Sequence, residues 1–160
     1  MAGAGLAVVG AGTLASEPLG EAPPPWEVDL KEEYGAAGDG SVDDAPAIQA
    51  AFSALGSEPG TTGAPPGVTG ARLLVPPGDY VLRSTVRIHR LAGIVQGSGV
   101  GMGPKVKGAL NTGFGTVLHW DGPPDQPMFE VTDSRLLQLR DLRFMGRDEG
   151  PPSVALRFVK

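Results

Sequence analysis

Three aspartates crowd one short stretch, Tyr34-Gly35-Ala36-Ala37-Gly38-Asp39-Gly40-Ser41-Val42-Asp43-Asp44. Carboxylates this close could offer oxygen ligands to a hard cation such as calcium, or serve as an acid/base group. The same residues suit structural work. Asp43 or Asp44 can accept from the free N–H groups of a following helix, worth about 1 kcal/mol, and Asp39 fits a tight turn in which Gly38 and Gly40 supply positive φ. The two histidines, His89 and His119, fall in strand-like stretches, where a hydrogen-bonded or exposed structural role competes with catalysis. Trp120 before Asp121-Gly122 offers a sugar-stacking face or a packing group. Glycines 97, 99, 101 and 103 do not match G-x-G-x-x-G in any register and read as a coil-joining turn. Gly10-Ala11-Gly12-Thr13-Leu14-Ala15 imitates a dinucleotide fingerprint, which needs a helix starting at the glycines. Pro18, Gly20 and Pro23-Pro24-Pro25 forbid that helix, so no cofactor site is expected there.

The elements that must position these groups are constrained by composition. Glycine and proline fill 25 and 16 of the 160 positions, which leaves too little uninterrupted sequence for a helix bundle. Cysteine is absent, which excludes disulfides and thiolate metal sites. The net charge of −5 is unevenly placed: residues 1–70 hold ten acids and Lys31 alone as a base, while residues 71–160 hold twelve bases and eight acids. An acidic total without a basic block argues against nucleic-acid binding. A local arginine surface in the second half could still meet an anionic ligand.

Val28-Asp29-Leu30 predicts a short strand. A helix over 44–55 follows from Pro46 in the first turn, Ile48, Phe52 and Leu55 on one face, and Gly56 as a stop. The stretch Tyr34 to Phe52 resembles the opening of pectate-lyase-like proteins, including rhamnogalacturonase/epimerase-like domains and polygalacturonases. A second stretch, Leu73 to Gly99, with a Pro76-Pro77-Gly78 turn between strands, is similar to the next element of that opening. The resemblance implies a mainly β fold, a right-handed single-stranded parallel β-helix whose N-terminal end is covered by the helix. Residues 57–70 read as a loop inserted between the two motifs.

The remaining sequence can be tested against that fold. Apolar segments at Ile94, Val117 and Leu139 step by 23 and 22 residues, and Met128 and Val154 begin similar segments 26 apart. Such spacing matches the coil of a solenoid, and residues 73–160 would supply roughly four coils of about 20–25 residues each. In Leu137-Gln138-Leu139-Arg140-Asp141-Leu142-Arg143-Phe144 the apolar alternation slips by one residue at Arg140-Asp141. This predicts a corner between two inward-facing strands, with Asp141 in the left-handed conformation that aspartate tolerates. An ordinary edge strand is the alternative. The family's corner often holds an asparagine, which Asp141 replaces.

In the hydrolases of this resemblance the reacting groups come from Asn-Thr-Asp, Gly-Asp-Asp, Gly-His-Gly and Arg-Ile-Lys patterns on later coils. Here Asn111-Thr112-Gly113 lacks the aspartate, Asp43-Asp44 lies in the cap, and Arg87-Ile88-His89 lies too early, so none is carried over. A lyase would need an arginine base and usually calcium; Arg83, Arg87, Arg140 and Arg143 exist without a matching carboxylate cluster. Catalytic residues are therefore expected beyond this segment, with no cofactor evident and calcium entering only through the resemblance.

Residues 2–15 form an uncharged apolar run, too short to span a bilayer and suited to an export signal of twin-arginine-like or Sec type, with cleavage before Ser16. No basic segment precedes it, so an upstream start codon is expected. Residues 16–25 read as a linker and 26–160 as the N-terminal part of a β-helix that continues past Lys160. The expected function is that of an exported carbohydrate-active protein, a lyase or hydrolase of acidic polysaccharides such as pectin. The alternatives are a non-catalytic tailspike-like or adhesive β-helix, which would trimerise and bind glycan, and an inactive fragment. An integral membrane protein is not expected.

Overall fold

A computed structural model of the chain describes residues 27–56, 70–99, 115–146 and 154–159. The apolar run, its cleavage position, the linker, the inserted loop over 57–69, Gly101, Gly103 and Asn111-Thr112-Gly113 all lie outside the described residues.

The described residues open with β1 (Glu27–Asp29), α1 (Leu30–Tyr34), β2 (Asp39–Asp43) and α2 (Ala45–Leu55). Among the described residues nine strands follow: β3 (Ala71–Leu74), β4 (Gly78–Leu82), β5 (Val86–His89), β6 (Gly93–Gln96), β7 (Thr116–Trp120), β8 (Phe129–Thr132), β9 (Gln138–Arg140), β10 (Leu142–Met145) and β11 (Leu156–Val159). They fall into three sheets, ordered β1-β3-β6-β9, β2-β4-β7-β10 and β5-β8-β11, and every pairing is parallel. Each turn of the chain thus visits the first, second and third sheet in sequence. The result is a right-handed parallel β-helix.

In the opening coil α2 stands where the third strand would be, packed against β5. Its Gln49 side chain completes the substitution. The Gln49 amide nitrogen donates to the Arg87 carbonyl at 3.0 Å, and its oxygen accepts from the Arg87 N–H at 2.7 Å. A side-chain amide therefore satisfies one position of an edge that would otherwise lie unpaired. Gly56 closes the helix by proximity. Its φ is −78°, and a Cβ there would stand 2.5 Å from the His89 carbonyl oxygen.

Interior side chains form columns along the coil axis. Leu73, Val95 and Leu139 align in the first sheet, Tyr80, Leu118 and Phe144 in the second, and Ile88, Val131 and Phe158 in the third. Phe129 bridges the layers, making edge-to-face contacts with Phe52 of α2 at 6.2 Å and with Phe144 at 6.1 Å. Such geometry adds about 0.5–1.5 kcal/mol per pair beyond burial. Burial declines toward the last coil, where Phe158 is 74% exposed.

Several expectations need correction. The first strand runs 27–29, and Leu30 instead begins α1, a five-residue helix that the sequence reading did not contain. Asp29 caps it through the Lys31 and Glu32 N–H groups, and Gly35 ends it at φ +69°. Ile94, Val117 and Leu139 do not form one stack, because Val117 belongs to the second sheet. The true register pairs Val95 with Leu139, and Phe129 with Leu156 rather than Met128 with Val154. From residue 71 onward the described residues make three coils, not four. The corner at Asp141 stands: its φ is +55°, and it joins β9 to β10.

Candidate functional site

The residues singled out in sequence meet at one place. Gly38 (φ +58°) and Gly40 (φ +78°) adopt the left-handed turn expected of them. A Cβ on Gly38 would lie 2.9 Å from the Tyr80 ring, and one on Gly78 would lie 2.6 Å from the Gly38 carbonyl oxygen. That carbonyl accepts from the Asp79 N–H at 3.0 Å. The Pro76 carbonyl accepts the Tyr80 hydroxyl at 2.8 Å, and Pro77 accepts from Lys31 Nζ at 3.0 Å, whose ammonium sits 5.5 Å from the Tyr80 ring centre. The two sequence motifs are thus halves of one interlock joining the cap to the first full coil.

The carboxylates of this region are engaged in the same task. Asp39 Oδ1 accepts from Ser41 N and Oγ and from Val42 N, and these bonds hold its carboxyl below the usual range. Asp43 Oδ1 receives the Ala45 N–H of α2 and the Arg83 N–H, each at 3.1 Å, tying helix start to sheet. Asp44 precedes α2 without capping it. Its carboxylate turns back to the loop, accepting from Ala37 N at 2.7 Å and from Gly38 N at 3.2 Å. Burial pushes the Asp44 carboxyl up, with those N–H groups opposing. Burial likewise pushes the Tyr80 phenol well above its ordinary range, and the Asp44 and Asp29 charges add to the rise. These aspartates do not converge on an open point in space where a reacting atom could sit.

One pair on the outer face of the second sheet carries other chemistry. His119 Nε2 lies 3.2 Å from Asp79 Oδ1. The Asp79 side chain is 1% exposed and the His119 side chain 13%, while Asp79 Oδ2 is buried without a hydrogen-bond partner. A carboxylate so placed fixes the imidazole's tautomer and orientation, as in an oriented general base. Arg143 occupies the same face, in register with Val117 and Asp79. Sequence reasoning left this pair unassembled, because β4 and β7 are far apart along the chain. The available signal was alternation: Tyr80 and Leu82 face inward, which turns Asp79 outward.

The other candidates have plain roles. Trp120 is buried, and its indole N–H donates to the Pro123 carbonyl at 3.1 Å, so it packs and offers no sugar platform. A Cβ on Gly97 would stand 2.3 Å from the Asp141 carbonyl oxygen, and Gly99 has φ +105°, as a tight coil-joining turn requires. His89 is exposed on β5. Arg83 pairs with Asp121 at 3.2 Å and Arg87 with Glu130 at 3.8 Å. Among the described residues, no group of three or more acidic or histidine side chains is placed to hold a metal ion. No helix among them is long and apolar enough to cross a membrane.

No family model matches the chain, and no curated protein matches it. Among solved structures it is similar to ORF18 of Geobacillus virus E2, at 22% identity with a TM-score of 0.54. The similarity covers 74% of this chain and 20% of that one, so the chain spans about a fifth of the viral protein's length. At this identity the likeness is one of fold: stacked parallel coils beneath an N-terminal helix.

Proposed function

We propose that this chain is the capped N-terminal portion of an exported β-helix protein that acts on acidic polysaccharide, as a lyase or hydrolase whose acid/base groups lie on further coils. The observation carrying this reading is the interlock between Gly38 and Pro77-Gly78-Tyr80, built from the same two segments that resemble the opening of pectate-lyase-like proteins. A cap of this kind starts a solenoid whose outer faces can follow an extended polymer. Asp39, Asp43 and Asp44 are engaged in holding the cap, and this reading assigns turnover to other coils. Residues 2–15 serve as the export signal in this reading, and an intact Met1 on a cytosolic product would contradict that part.

The test is incubation of the protein, with any coding sequence downstream of Lys160 restored, with polygalacturonate, rhamnogalacturonan and alginate. New reducing ends or unsaturated uronates are expected. Absence of both on all three polymers removes the enzymatic reading.

A second reading is favoured by the viral origin of the similar structure and by the lack of converging open carboxylates among the described residues. In it the coils form a non-catalytic, tailspike-like glycan-binding protein. It predicts glycan binding without product release and a trimer in sedimentation, whereas a monomer that cleaves polyuronide would exclude it.

A further inference from the structure

The Asp79–His119 pair lies on strands that have neighbours on both sides: β4 runs between β2 and β7, and β7 between β4 and β10. The aspartates of the cap are met by backbone N–H groups. Asp79 is different. Its carboxylate receives no backbone N–H among the described residues, and its side-chain partner is the His119 imidazole, at 3.2 Å from Oδ1. Oδ2 of the same carboxylate is buried with no hydrogen-bond partner, although the side chain is 1% exposed. An ionised oxygen in that position carries its desolvation cost without compensation. A hydrogen-bonded pair accounts for Oδ1 and leaves Oδ2 unexplained. On the same outer face β2 presents Asp39 beside Asp79, and β10 presents Arg143 on the far side of Val117. Opposite charges thus flank the pair, and the Asp79 carboxylate sets the local field.

A cation between the two side chains accounts for both oxygens. Imidazole nitrogen and carboxylate oxygen bound to zinc at about 2.0–2.1 Å with tetrahedral angles lie roughly 3.3 Å apart, close to the 3.2 Å between His119 Nε2 and Asp79 Oδ1. Calcium and magnesium take oxygen ligands, whereas an imidazole ligand suits zinc, copper or nickel. We propose that Asp79 and His119 form a binding site for a divalent transition-metal ion of the zinc class, with His119 binding through Nε2 and Asp79 through both carboxylate oxygens. Two side chains leave the remaining coordination positions to water, which the 13% exposure of His119 admits. Binding moves the imidazole proton from Nε2 to Nδ1, so the ring stays neutral. The ion would link β4 to β7, strands of successive coils, in a chain that has no cysteine to cross-link them. This site stands independently of the polysaccharide reading.

The experiment is calorimetric titration of the untagged 160-residue chain with zinc near neutral pH, and separately with calcium and magnesium. His119→Gln keeps an amide donor toward Asp79 and removes the metal ligand; Asp79→Asn removes the charge. His89→Gln alters the only other histidine of the chain and serves as control. Thermal unfolding checks that each variant folds, and His119→Gln decides the matter if Asp79→Asn does not. The wild type should bind one zinc ion and neither calcium nor magnesium at the same concentration. His119→Gln and Asp79→Asn should each weaken zinc binding at least about 10-fold, since even residues that only support a metal ligand are worth that much, while His89→Gln stays within about two-fold. Nitrogen-15 spectra of the imidazoles should show His119 passing to the Nδ1-protonated form as zinc is added. Absence of saturable zinc binding, or equal binding by a folded His119→Gln variant, would overturn the site and leave the polysaccharide reading untouched.

Discussion

Asp39 and Asp44 show how one residue type, a few positions apart, is driven in opposite directions. Asp39 is solvent-exposed and bonded by N–H groups that favour its charged form, whereas burial raises the Asp44 carboxyl despite the bonds from Ala37 and Gly38. A carboxyl whose folded value is raised binds more protons folded than unfolded, so its contribution to stability grows as pH falls. That growth spans the window from the raised folded value down to about 3.9, the ordinary aspartate value. Asp44→Asn removes it. Urea midpoints at pH 7 and pH 4 should therefore show the wild type gaining on Asp44→Asn at the lower pH; a pH-independent difference would contradict the burial argument. Asp141 tests backbone conformation alone. At φ +55°, Asp141→Gly should be neutral or slightly stabilising, whereas Asp141→Val should cost about 1–2 kcal/mol, read from denaturant midpoints. Residue-scale features were the most legible in sequence, because glycine turns and the slip at Arg140-Asp141 depend on local sterics. The capping aspartate was legible only as a choice of two: Asp43 bonds the helix, because Asp44 is drawn to the loop N–H groups facing it.

At the scale of elements, α2 is both lid and surrogate strand. Its apolar face was readable from the spacing of Ile48, Phe52 and Leu55, all of which are buried. Gln49 was not, since nothing local marks a side-chain amide that will pair with a strand edge formed 38 residues later. Gln49→Ala should cost about 1–2 kcal/mol, because both Arg87 backbone groups lose their partner, and hydrogen exchange at the Arg87 amide should accelerate. Phe52→Ala should cost about 3–5 kcal/mol, through lost burial and a cavity against Phe129; a loss under about 1 kcal/mol would mean that the helix is not the lid. The coil spacing was half legible. Repeats in sequence reveal that strands recur, but three sheets share one chain, and unequal loops hide which strands stack. Val117 fell between Ile94 and Leu139 at a plausible distance while belonging to a different face. The Asp79–His119 pair was hidden for the same reason, since only stacking brings β4 beside β7.

Across the whole molecule, the columns set a gradient of order along the coil axis. Ile88, Val131 and Phe158 share one column, yet Ile88 is 1% exposed and Phe158 74%. Ile88→Ala should cost about 2–5 kcal/mol, whereas Phe158→Ala should stay within about 0.5 kcal/mol. Equal costs would mean that the last coil is buried in solution. The fold and the cap both depend on parallel stacking in the stated register. Because the chain has no cysteine, a single engineered pair reports that register directly. Arg87 and Glu130 are partners on adjacent parallel strands, where the separation of about 4.8 Å suits a disulfide. Arg87→Cys with Glu130→Cys should oxidise to an intramolecular link in a monomer, while Arg87→Cys with Thr132→Cys, displaced along the strand, should not. Efficient closure of the displaced pair, or only intermolecular products from the first, would contradict the stacked coil.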